Sequence, residues 1–315
     1  MVKFGCYIYQ DGLDYGTIRN VAVECEKLGF DSIWIKDNFI PWLHEYLGGS
    51  TAEREAPLLE AWTTLAALAS DTASIRLGTI LCNSYRQPSL VAKMGATLDV
   101  ISNGRLDLGL SAGWYRREYE SYGIPFRSPR NRVEMLEEAA KIIKKLWSEN
   151  ETSFYGKHYS IKDAICNPKP IQKPNPPLWI GGAGKKRTLK LVAELADGWN
   201  YSLCTLDQYK AALEVLESWC QLVGKNYDKI TKAWQPMILI GNNADQVSRK
   251  TKELLSLFPS LKEVIVAGTS QQVLKQIEKY VELGVSYISA NFPFIFDLTS
   301  LRLFAHDVMP SFRNS

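Results

Sequence analysis

The residues best suited to chemistry stand in five short stretches, each following a run of strand-like apolar pattern. "KDNFIPW" (36–42) supplies Lys36, Asp37, Asn38 and Trp42, with His44 just beyond; "CNSYRQP" (82–88) supplies Asn83 and Tyr85. "SAGWYRR" (111–117) supplies Ala112, Gly113, Trp114 and Arg117, and "NYS" (200–202) supplies Tyr201 and Ser202. "GGAGKKR" (181–187) sets Gly181, Gly182, Ala183 and Gly184 before Lys185, Lys186 and Arg187. Small residues let backbone N–H groups approach a phosphate or a flat ring, and a helix start adds its dipole. Cations at a helix start oppose that dipole, so an anionic ligand explains their placement; a tight turn with solvated lysines explains it equally well. Trp42, Tyr85, Trp114, Trp199 and Tyr201 can wall a planar group or pack as a rim. Asp37 either caps a loop or bonds a ring edge, and Glu60 either favours the next helix dipole or faces a pocket.

The elements that must position these stretches alternate along the whole chain. Strand patterns fall at 2–8, 32–35, 74–81, 105–111, 177–182, 197–203, 233–241 and 286–292. Helical patterns fall at 14–28, 58–71, 88–101, 131–147, 185–195, 206–223, 244–257 and 298–307. Pro88 sits in a first helical turn, where its missing N–H costs nothing. Eight strand–helix units predict an α/β fold, a (β/α)8 TIM barrel, as one domain over 1–315, whose active site lies at the C-terminal strand ends. "EVIVAG" (263–268), before a helix at 270–283, is either a ninth strand or a loop. The stretch 38–57 is too long for an ordinary connection. The stretch 151–177 reads as an insertion, a hairpin followed by rigid proline-rich chain.

Composition narrows the partners. A net charge of +3 over 315 residues, without a block of like charges, tells against nucleic acid. No apolar run approaches a membrane span, and the opening residues lack a signal core, so a cytoplasmic protein is expected. The six scattered cysteines fit a reduced chain, and three scattered histidines without HExxH or CxxC predict no bound metal. The glycine runs match neither GxGxxG after a first strand nor GxxxxGK[ST].

The segment 60–126, "EAWTTLAALASDTASIRLGTILCNSYRQPSLVAKMGATLDVISNGRLDLGLSAGWYRREYESYGIPF", with "PPLWIGGAG" and "LADGWN", resembles the bacterial luciferase-like superfamily. The nearer resemblance is to its coenzyme F420 (deazaflavin)-dependent oxidoreductases. It implies a (β/α)8 barrel with an insertion, "EVIVAG" as a connection, hydride transfer to or from a small-molecule substrate, and a homodimer. By resemblance a non-prolyl cis bond between Ile80 and Leu81 backs the deazaflavin ring. Gly113 and Trp114, with Gly182, Ala183 and Gly184, would hold its phosphate, and Ser202 would touch the same tail. Asp37 and Asn83 would meet the ring edge, and Lys185, Lys186 and Arg117 would receive the anionic tail.

One departure concerns substrate. The sugar-phosphate dehydrogenases of this branch carry Asp-His-Phe…Trp, whereas this chain keeps Asp37, Phe39 and Trp42 with Asn38 at the histidine position. Trp114 stands where those enzymes have an acid. An amide is no general base near neutral pH, although it can hydrogen-bond a developing oxyanion, and this tells against sugar-phosphate oxidation. Asn38, Trp42, His44 and Glu60 are the candidates for lining the substrate pocket and polarising the substrate. Two alternatives stay open: an FMN-dependent monooxygenase using dioxygen, and a non-catalytic flavin-binding or partner subunit.

Overall fold

The computed structural model describes residues 1–41 and 56–313. Eight parallel strands close into a barrel: β1 (Lys3–Ile8), β2 (Ser32–Lys36), β3 (Arg76–Cys82), β4 (Leu106–Ser111), β7 (Leu178–Gly181), β8 (Gly198–Ser202), β9 (Thr231–Gln235) and β12 (Tyr287–Ala290). Four shorter strands stand apart. β5 (Thr152–Tyr155) and β6 (Ser160–Ala164) form an antiparallel hairpin within the expected insertion. β10 (Met237–Ile240) and β11 (Ile265–Gly268) form a separate parallel pair.

Strand parity divides the side chains between two cores. Outward-facing Phe4, Ile33, Leu77, Leu81, Leu108 and Ile180 join the layer between barrel and helices. Inward-facing Tyr7, Trp34, Trp179, Ala233 and Tyr287 fill the barrel itself. The two tryptophans fit because Gly78 and Gly198 oppose them: a Cβ on Gly78 would stand 2.5 Å from the Trp34 ring, and one on Gly198 would overlap the Trp179 ring. Large and small residues thus alternate across the interior, as a packed barrel requires. Trp34 Nε1 donates to Ser32 Oγ at 2.8 Å, and Asp107, beneath Trp179, takes a bidentate pair from Arg76 at 2.8 and 2.9 Å. This plug closes the lower barrel and leaves the C-terminal mouth for a ligand.

Three expectations need correction. Residues 233–241 are not one strand: Pro236, lacking an N–H, ends the barrel strand at Gln235, and Met237–Ile240 leaves to pair with Ile265–Gly268. "EVIVAG" is therefore a strand outside the barrel rather than a plain connection. The Ile80–Leu81 bond is not cis; among the described residues the cis bonds are Asn167–Pro168 and Lys173–Pro174. Leu81 and its neighbours keep unbroken register with β4 (Ile80 with Gly109, Leu81 with Leu110), which leaves no bulge there. No helix among the described residues is long and apolar enough to cross a membrane.

Candidate active site

A cleft of about 440 Å³ opens at the C-terminal ends of the strands. Its floor is built from inward-facing strand ends: Tyr7 on β1 and Tyr9 just beyond it, Lys36 at the end of β2, Ile80 on β3, Asn200 on β8 and Gln235 on β9. Its wall is two small-residue turns at the ends of neighbouring strands, Ser111–Trp114 beginning on the last residue of β4 and Gly181–Gly184 on the last residue of β7. Tyr201, Ser202 and Leu203 complete the far side.

The two turns are held differently. Gly113 has φ +75°, and a Cβ there would stand 2.5 Å from Cys82 Sγ and overlap the Tyr119 hydroxyl. Packing behind the wall therefore demands glycine at this position. Gly182 has φ +109°, with nothing closer to a Cβ than Thr188 at 3.7 Å. Its own peptide groups are pinned, the N–H to Asn200 O at 3.0 Å and the carbonyl by Trp199 Nε1 at 2.8 Å. Backbone conformation demands glycine here, because an L side chain is strained in that region. Among the described residues, the N–H groups of Gly113, Ala183 and Gly184 enter no hydrogen bond. Three such donors on one wall form a seat for an anionic oxygen.

The basic residues do not share that seat. The helix begins at Thr188 rather than Lys185, and the intervening turn carries the cations away. Lys185 lies over a side recess with Asp207, while Lys186 and Arg187 line a separate recess with Glu134 and Trp219. Arg187 stands 3.7 Å from Glu134. Arg117, exposed on the helix Arg116–Ser121, does not line the cleft. These cations therefore stand apart from the wall, where the groups left to meet an anion are backbone amides.

On the floor, Asn200 Nδ2 donates to Gln235 Oε1 at 2.9 Å and Gln235 Nε2 donates to Tyr9 Oη at 3.3 Å. Asn200 Oδ1 is buried without a hydrogen-bond partner among the described residues, an acceptor available to a ligand N–H or O–H. Lys36 is buried, and its Nζ is 2.7 Å from Asp11 Oδ1; burial lowers its pKa against the pull of Asp11. Asp37, with no exposed side chain, takes both Arg86 nitrogens at 2.8 and 3.0 Å. Burial pushes its carboxyl up to about 6, with the Arg86 charge holding it back.

Several expected site residues serve the scaffold instead. Glu60 caps the helix Ala61–Asp71, accepting from Thr63 N–H at 2.7 Å, and binds Arg86 at 2.6 Å without lining the cleft. Burial raises its pKa, but hydrogen bonds from Thr63 and Trp62 and the Arg86 charge outweigh this and bring it down. Asn83 is buried and, with its amide oriented to satisfy its neighbours, bonds Ser111 O and Leu136 N–H. Leu81 points outward by strand parity. Trp199 is wholly buried, and Tyr85 turns to Glu118. Asp37, Asn38, Ile80, Ala112, Gly113, Trp114, Gly181, Gly182, Ala183, Gly184 and Ser202 do line one cleft. Trp42 and His44 lie outside the described residues.

Glu118 is the residue that sequence reasoning missed. It is fully buried on the short helix Arg116–Ser121. It accepts from Phe39 N–H at 2.5 Å, Ile40 N–H at 3.1 Å, Asn38 Nδ2 at 3.0 Å and the Tyr85 hydroxyl. The Phe39 ring lies against Tyr85 at 4.8 Å and Tyr122 at 4.7 Å, so charge and packing together fix the chain leaving β2.

A closed parallel barrel with unengaged backbone amides on one wall of its mouth and an aromatic, partly polar floor has the shape and donors to take a phosphorylated planar ligand there. The family model for luciferase-like monooxygenase matches residues 1–263, and the chain belongs to that family. It is 28% identical to an F420-dependent glucose-6-phosphate dehydrogenase of Amycolatopsis mediterranei, across 99% of both chains. It is 27% identical to the enzyme of that name from Kineococcus radiotolerans, across 95% of this chain and 93% of that one. Among solved structures, an F420-dependent secondary alcohol dehydrogenase in complex with an F420-acetone adduct matches with a TM-score of 0.84 at 24% identity, over 99% of both chains. The coenzyme F420-dependent tetrahydromethanopterin reductase of Methanopyrus kandleri matches with a TM-score of 0.81 at 20% identity, over 99% of both.

Proposed function

We propose that this chain is a coenzyme F420-dependent oxidoreductase acting on a small organic alcohol–carbonyl pair. The observation that carries the reading is the pair of glycine turns placing three N–H groups, unengaged among the described residues, beside an aromatic, partly polar floor. The residues fit the group: the amides of Gly113, Ala183 and Gly184 suit its phosphate, with the Ser202 hydroxyl alongside. Ile80 and Tyr7 suit a ring face, and the unpartnered Asn200 Oδ1 suits a ring N–H or hydroxyl. The full-length likeness to enzymes named as F420-dependent supports the same cofactor.

Bound there, the deazaflavin supplies the hydride acceptor or donor. The chain orients the reactants. Trp114, 46% exposed at the rim, and Asn38 stand where a substrate enters beside the ring. Asp37 is held by Arg86 as a fixed charge behind them. Asn38 cannot take up a proton near neutral pH, so it orients the reacting oxygen rather than ionising it. Among the described residues, Lys36 is the one cation lining the cleft, and Asp11 neutralises it. A neutral substrate suits this floor better than a sugar phosphate.

Anaerobic turnover followed by the deazaflavin absorbance, with neutral alcohols and glucose 6-phosphate as substrates, tests the reading. Reduction of the cofactor by a neutral alcohol supports it. Turnover with glucose 6-phosphate alone overturns the substrate assignment, and FMN-dependent oxygen consumption without deazaflavin reduction overturns the whole.

A further inference from the structure

We infer that Glu118 is a positioning residue that fixes the Asn38 side chain as a hydrogen-bond acceptor toward the cleft, selecting ligands that bring a hydroxyl to that point. Glu118 Oε1 takes the N–H groups of Phe39 and Ile40, and Oε2 takes Asn38 Nδ2 and the Tyr85 hydroxyl. Four donors match the four acceptor positions of a carboxylate, so both oxygens are fully used. The Asn38 amide has one orientation in this setting, because its oxygen turned toward Oε2 would face an acceptor with an acceptor. Asn38 lines the cleft, and its Oδ1 enters no hydrogen bond among the described residues. An acceptor held this way complements an alcohol O–H and repels a carbonyl oxygen at the same place.

Glu118 never lines the cleft, and its buried position makes the effect one of orientation. The substitution E118Q exposes it. A glutamine keeps one oxygen for the two backbone N–H groups and places its amide nitrogen where Oε2 was. Tyr85 can rotate to accept from it, and the Asn38 amide must turn over, giving its oxygen to the new donor and its N–H groups to the cleft. The polarity of the floor at Asn38 is thereby inverted. Y85F removes one donor and leaves the Asn38 contact in place, so it controls for general loosening.

The ligand half of the inference rests on the oxidoreductase reading, whereas the amide orientation does not. Two measurements therefore keep them apart. With selective ¹⁵N-asparagine labelling and assignment by loss in N38D, the wild-type protein is expected to show one Asn38 amide proton displaced downfield and slow to exchange. That signature persists in Y85F and disappears in E118Q. In the deazaflavin-loaded protein, cyclohexanol and cyclohexanone are the probe pair. The wild type and Y85F favour the alcohol, and E118Q shifts the alcohol-to-ketone affinity ratio by roughly tenfold or more toward the ketone, the cost of facing like with like. An unshifted, fast-exchanging Asn38 proton in the wild type overturns the orientation, whether or not E118Q folds. A wild type that does not favour the alcohol, or an E118Q protein with the wild-type ratio, overturns the selection. Failure of deazaflavin to bind sinks the oxidoreductase reading and leaves the resonance test standing.

Discussion

Replacing Arg86 by alanine strips the counter-charge from Asp37, and the consequence can be followed through pH. Asp37 has no exposed side chain and sits at about 6 against an ordinary 3.8, because burial outweighs the pull of Arg86. A shift of about two pH units corresponds to about 3 kcal/mol held against the ionised form. The folded protein binds that proton more tightly than the unfolded chain does. The contribution of Asp37 to stability is therefore fully present below about pH 4, is lost as pH rises through about 6, and is level above it. In R86A the restraining charge is gone and the carboxyl moves higher still. The decline must then continue above about pH 6, at about 1.4 kcal/mol per pH unit until the new midpoint is reached. Removing one member of a buried pair costs about 3–5 kcal/mol where the remaining charge cannot neutralise, and protonation of Asp37 limits the loss on the acid side. Urea unfolding of wild type, R86A and D37N/R86A from about pH 5 to about pH 8 reads this directly. Above about pH 6 wild type should level off while the single variant keeps falling, and the double variant, which lacks the carboxyl, should show neither decline. Parallel curves for R86A and wild type would refute the claim that Arg86 holds a buried charge at the cleft.

Other outcomes follow from the two turns. G113A should lose about 1–3 kcal/mol of stability by driving a methyl against Cys82 and Tyr119, read as a lower urea midpoint. G182A meets no neighbour within 3.4 Å but forces alanine to φ +109°, so it should weaken cofactor binding more than it weakens folding, as titration and melting together would reveal. W199F removes the donor to Gly182 O and should cost about 1–3 kcal/mol, together with a measurable drop in cofactor affinity; unchanged affinity would mean that the turn holds itself. K186A/R187A should leave cofactor affinity within about twofold, since both side chains face another recess; a larger loss would return them to the anion seat.

The barrel was legible because a parallel sheet buried on both faces writes continuous apolar runs, and helices between them write a different period. The one misjoined strand, 233–241, contained its own warning in Pro236. The glycine turns were legible for a related reason: glycine marks what the backbone must do, and Gly113 and Gly182 both have positive φ. Tyr7, Asn200 and Gln235 were recoverable from strand parity, which sends alternate residues into the barrel. Lys185, Lys186 and Arg187 misled because a difference of three residues in where the helix begins decides which way they face. Glu118 carried no signal at all. In "YRREYESYG" it reads as one more charge on a solvated helix, and only the folded chain brings Asn38, Phe39, Ile40 and Tyr85 around it.

The most direct measurement is equilibrium titration of the purified protein with coenzyme F420 and, separately, with FMN, followed by fluorescence. The account predicts saturable one-to-one binding of the deazaflavin with a Kd of about micromolar order and FMN binding at least roughly tenfold weaker. FMN binding the tighter of the two, or neither ligand saturating, would contradict it.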